Sequence, residues 1–105
     1  METSAETIDE AVRAIVDAVH PLRIILFGSA VRGEIHEHSD LDFLVVMPKD
    51  THRRRTAQAI YRQIIGLSCP VDIVFATEED LVTYGDTLGL VFYPALHEGK
   101  TVYAA

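Results

Sequence analysis

Asp40-Leu41-Asp42-Phe43-Leu44-Val45-Val46-Met47 is an apolar run with acids at its first and third positions, closed by Pro48. Its length and its branched and aromatic residues read as a buried strand. In a strand, residues i and i+2 share a face about 6.5–7 Å apart. Asp40 and Asp42 therefore point the same way. Two carboxylates so placed repel each other, and burial strips them of water. A divalent cation resolves that conflict, and hard oxygen ligands favour Mg²⁺ or Mn²⁺.

Other apolar runs frame this one. Upstream, Arg23 to Phe27 is a short Ile/Leu strand that closes on Gly28. Residues 28–39 between the two strands read as turn or loop, too short for an ordinary helical crossover. Downstream, Pro70 to Phe75 is a third strand, and Asp72 interrupts it as Asp42 interrupts the second. If the two strands are neighbours, Asp72 joins the same site. Three carboxylates can hold two metal ions, the arrangement that clamps an in-line phosphoryl displacement. Phe27-Gly28-Ser29 supplies an anion-binding side: glycine lets the backbone approach a ligand, and Ser29 offers a hydroxyl and an amide. Arg32 lies three residues further on, with a fork that matches phosphate oxygens.

The remaining segments read as helices. Thr3-Ser4-Ala5-Glu6 fits a capping box. Ile8, Ala11, Val12, Ile15, Val16 and Val19 then form one apolar stripe, which Pro21 ends. Asp50 or Thr51 opens a second helix through Ala57, Ile60, Tyr61, Ile64 and Ile65 to Gly66. Thr77 before Glu78, Glu79 and Asp80 is a third helix start, with acids where the helix dipole favours them. Leu88, Val91, Phe92, Ala95 and Leu96 suggest a last helix that Pro94 must kink or restart. Thr101 to Tyr103 reads as a short edge strand. The order predicts an α+β fold (α/β two-layer): a mixed sheet of three or more strands with helices packed against it.

Composition sets the outer limits. The chain has 105 residues, 49% of them hydrophobic, and a net charge of −7. That length suits a single domain over residues 1–105, and the apolar content excludes disorder. One cysteine, Cys69, excludes an internal disulfide and an all-cysteine zinc site. The acidity speaks against a nucleic-acid scaffold. No stretch reaches the roughly 20 apolar residues of a membrane span. The expectation is a cytoplasmic protein, with homo-oligomerisation open.

Gly28-Ser29, ten intervening residues, then Asp40-Leu41-Asp42 resembles the G-S-x(10)-D-x-D signature of the DNA polymerase β-like nucleotidyltransferases. Phe27, Leu41, Phe43 and the later acid Asp72 match that pattern too. The short length and Ala30-Val31-Arg32-Gly33 are similar to the minimal nucleotidyltransferase (MNT) group. The resemblance implies a polymerase β-like nucleotidyltransferase fold. It also implies that Asp40, Asp42 and Asp72 are catalytic and hold two Mg²⁺ ions. Gly28 and Ser29, with Arg32, would bind the nucleotide, ATP by family tendency. MNT proteins are often paired with a HEPN-domain toxin, to which they can transfer AMP on a tyrosine. The resemblance thus implies an antitoxin acting on a HEPN partner. Neutralisation by binding alone, and nucleotidyl transfer to a small molecule, are the alternatives. The chain ends about 30 residues after Asp72, which leaves little room for a small-molecule domain.

Bland readings suffice elsewhere. His36 and His38 read as exposed loop histidines, and His20 and His97 as residues near helix ends. Cys69 has no electropositive setting that would make it reactive. Arg53-Arg54-Arg55 is the exception. Three arginines at a helix start oppose the dipole, which points to another use: a partner's acidic surface, a nucleotide or RNA.

Overall fold

The second strand organises the molecule. The computed structural model describes residues 5–28, 41–67, 71–84 and 92–105. In it β2 (Leu41–Met47) lies between β1 (Arg23–Phe27) and β3 (Val71–Thr77), and β4 (Lys100–Ala104) borders β1, giving the order β3-β2-β1-β4. Pairing is antiparallel between β1 and β2 and between β1 and β4, and parallel between β2 and β3. The sheet is therefore mixed, as expected.

Helices explain why β2 is apolar on both faces. α1 (Ala5–Val19) and α2 (Arg53–Ile64) cover one face. There Ala11, Ile15 and Ile60 pack with Ile24, Leu26, Leu41, Phe43, Val45 and Met47. The short helices α3 (Glu78–Tyr84) and α4 (Phe92–Glu98) lie on the other face. Leu81 and Ala95 meet Ile25, Phe27, Leu44, Val46 and Ala76 there. Leu41, Phe43, Leu44, Val45 and Val46 are fully buried, so the run lacks the polar alternation of a half-exposed strand.

Several boundaries differ from the sequence reading. α2 starts at Arg53 rather than at Asp50 or Thr51. The chain first makes a turn in which the Thr51 amide and hydroxyl both donate to the Pro48 carbonyl, at 3.3 and 2.6 Å. Asp50 sits there at a φ of 68°, the left-handed region that Asp tolerates better than most residues. His52 then takes the N-cap, its Nδ1 accepting from the Arg55 amide at 3.2 Å. The third strand continues to Thr77. The α3 start is as expected: the Asp80 amide donates to Thr77 Oγ1 and the Thr77 amide donates to Asp80 Oδ2, a reciprocal cap. Pro94 falls in the first turn of α4, where a missing amide hydrogen costs nothing. The capping box at residues 3–6, with Thr3 and Ser4, and the helical residues Leu88 and Val91 lie outside the described residues, wholly or in part.

Gly99 joins α4 to β4 in a confined space. Its amide donates to the Ala95 carbonyl at 3.1 Å. A methyl group at this position would collide with that same carbonyl oxygen, and would stand 2.6 Å from Ile25 Cγ2 and 3.0 Å from the Leu26 carbonyl. Two of these neighbours are backbone and cannot give way easily. Gly99→Ala should therefore lower stability by about 1–3 kcal/mol, measured by urea denaturation. A neutral substitution would show that α4 and β4 are not docked this closely.

Candidate active site

Register decides which acids meet. Asp42 pairs with Phe27 across the antiparallel β1–β2 ladder. On its other side Asp42 pairs with Asp72 across the parallel β2–β3 ladder. Residues directly paired on neighbouring strands share a face, with strands about 4.8 Å apart. Asp42 and Asp72 therefore stand side by side. They lie on the face of Leu44, Val46 and Ala76, at the sheet end where β1 finishes. Asp42 is half-buried and Asp72 exposed.

Gly28 adjoins this pair directly. It follows β1 with a φ of 81°, a conformation that glycine adopts without strain. A Cβ built there would lie 2.5 Å from Asp42 Oδ2 and 3.4 Å from its Cγ. The glycine is needed so that the chain can turn against the Asp42 carboxylate. The sequence reading had assigned Gly28 to close approach of a ligand. The packing reason was missed because it depends on the β1–β2 register, which no local pattern encodes.

The donor chemistry fits a hard divalent cation. Two carboxylates stand in register, one reachable from solvent, and a side-chain-free backbone position sits beside them. Among the described residues no group of three or more His, Cys, Asp or Glu side chains gathers to hold a metal. The three-carboxylate set needs Asp40, which lies outside the described residues. So do Ser29, Arg32, His36, His38 and Cys69.

The structure places the arginine run away from the carboxylates. Arg53, at the opposite end of β2, reaches Asp80 Oδ2 at 2.8 Å. This pair links the starts of α2 and α3, but the arginine side chain is 64% exposed, and such pairs contribute little. Arg54 and Arg55 are exposed, and His97 lies in the last turn of α4. Among the described residues no helix is long and apolar enough to cross a membrane.

Comparison with known proteins agrees with this geometry. A family model described as a nucleotidyltransferase domain matches residues 6–88. Two solved structures share the fold at 20% identity. One is a toxin–antitoxin crystallised with AMP-PNP, with a TM-score of 0.61 over 92% of this chain and 73% of that one. The other is a Sulfolobus solfataricus protein assigned to the nucleotidyltransferases, with a TM-score of 0.62 over 94% of this chain and 78% of that one. Among curated proteins nothing matches.

The contact between Gly28 and Asp42 can be tested by a double-mutant cycle. Gly28→Ala adds left-handed backbone strain, about 1–2 kcal/mol, and a collision with the carboxylate. In an Asp42→Ala background only the strain remains. The glycine substitution should therefore cost about 1 kcal/mol less in that background, read from urea midpoints. Strict additivity would place the two residues apart.

Proposed function

Because the chain belongs to the nucleotidyltransferase domain family, we propose that residues 1–105 form one metal-dependent domain that transfers a nucleoside monophosphate to a hydroxyl. In this reading the donor is ATP and the acceptor is a tyrosine of a HEPN-domain toxin, so the protein acts as an antitoxin. The observation that carries it is the registered pair Asp42 and Asp72 with Gly28 folded against Asp42. The fold shared with a toxin–antitoxin solved with AMP-PNP supports the nucleotide and the kind of partner.

Each residue then has a distinct task. Asp42 and Asp72, together with Asp40, hold Mg²⁺. When bound, the two ions neutralise the triphosphate and act as Lewis acids on the reacting phosphate. Gly28 and Ser29 present backbone and hydroxyl donors to the triphosphate, and Arg32 adds a positive fork. The acceptor oxygen forms a bond to the α-phosphorus, the bond from that phosphorus to the bridging oxygen breaks, and pyrophosphate leaves. The hydroxyl proton is lost to water. The exposure of Asp72 suits an acceptor hydroxyl carried by a protein.

The test uses ATP labelled at the α-phosphate, Mg²⁺ and the product of the neighbouring gene. Label should reach the partner, and EDTA should abolish transfer. Asp42→Asn and Asp72→Asn should each reduce it more than about 100-fold, beyond the loss typical of an outer-shell partner, with unchanged thermal melting. A partner that binds but takes no label would count against transfer. An Asp40/Asp42 double variant that still neutralises the partner would make binding sufficient.

A further inference from the structure

The outer surface of the helix layer carries a charge pattern that nucleotide transfer does not use. On α1 the exposed residues include Asp9, Glu10, Arg13 and Asp17. On α2 they include Arg54, Arg55, Gln58, Tyr61 and Arg62, and Ile65 follows at the C-cap. Among the described residues none of these acids or arginines makes an ion pair with another. Ile65 is 87% exposed and Tyr61 47%. With Gln58 and Arg62 they line an open depression of about 430 Å³.

The two helices run antiparallel. α1 leads into the start of β1, and α2 follows the end of β2. Those strand ends lie together, since Arg23 pairs with Val46. The end of α1 therefore sits beside the start of α2. At that level Asp17 is on one helix and Arg54 and Arg55 on the other. At the far level Asp9 and Glu10 are on α1 and Arg62 on α2. Asp9 and Glu10 precede Asp17 by eight and seven residues, and Arg54 and Arg55 precede Arg62 by the same intervals. Each spacing is about 11–12 Å along its helix.

We infer that this face is an interface between two copies of the chain. A two-fold axis lying in the interface, parallel to the helices and midway between them, places α1 of each copy on α2 of the other. Asp9 and Glu10 then meet the second copy's Arg62, and Asp17 meets its Arg54 and Arg55. Arg13, between the acids, comes over the partner copy's Gln58 and Tyr61, where a guanidinium can stack on the ring. Because the contact is isologous, every pairing forms twice. The arginines that oppose the α2 dipole thereby gain acidic partners, and Tyr61 and Ile65 leave water. The face spans about 20 by 20 Å, from the helix lengths and interaxial spacing. That is the small end of specific interfaces, so the dimer is weak and sensitive to salt.

Sedimentation of the full chain, without nucleotide or any other protein, tests this independently of transfer activity. The wild type should dimerise at micromolar concentration in about 50 mM salt, and its dissociation constant should rise more than about tenfold at 500 mM. Two variants reverse one side each: Arg54→Glu with Arg62→Glu, and Asp9→Lys with Asp17→Lys. Each alone should be monomeric, and an equimolar mixture should recover the dimer, because each then supplies the complementary helix. That recovery also shows that both variants fold. A monomeric wild type would overturn the proposal, as would variants that dimerise alone or mixtures that stay monomeric. So would a monomer that uses these arginines to bind RNA or an acidic protein.

Discussion

Burial of β2 on both faces is the constraint from which the rest follows. A central strand covered by α1 and α2 on one side and by α3 and α4 on the other can carry polar groups only near its ends. Asp42 occupies such an end, with Phe43 to Val46 fully buried behind it. The neighbouring strands are then not free to choose their register. A shift of one residue would turn Val71, Ile73 and Phe75 away from the α1–α2 face, where they pack. The hydrophobic pattern that builds the core is thus also what sets Asp72 beside Asp42. No separate device is needed to bring the two carboxylates together.

This coupling explains what was legible in the residues and what was not. The apolar stripe from Ile8 to Val19, the β2 run and the acids after Thr77 are local patterns, and each predicted its element. The G-S and D-x-D spacing carried the family resemblance, and Asp72 followed from an acid in an apolar strand. Pairing is non-local, and there the residues were silent. Nothing near Lys100–Ala104 shows that this strand borders β1, and nothing near Gly28 shows that its missing side chain makes room for Asp42 Oδ2. The start of α2 was misplaced for a local reason. Asp50 and Thr51 are good caps by type, yet the Pro48 turn engages Thr51 first and leaves capping to His52.

The polar features divide between the two ends of the sheet. At one end β1 finishes, β2 and β3 begin, and Gly28, Asp42 and Asp72 come together. At the other, Arg53, Thr77 and Asp80 tie α2 to α3. The first group forms the candidate site, and the second caps α3 and sets Arg53 beside that cap.

The border between β1 and β4 has a consequence for how the chain is made. Leu26 pairs with Lys100, and Arg23 with Ala104. A ribosome emitting residues in order exposes β1 long before its outer neighbour exists. Until Lys100–Ala104 emerge, the buried strand β1 is itself an edge of the nascent sheet, where unpaired amide and carbonyl groups invite foreign strands. Closure of so long a loop is also slow compared with helix formation. Among the described elements, the Gly99 joint, tight enough to exclude a methyl group, leads into the strand that emerges last. Its sterics decide how closely that strand can dock against β1.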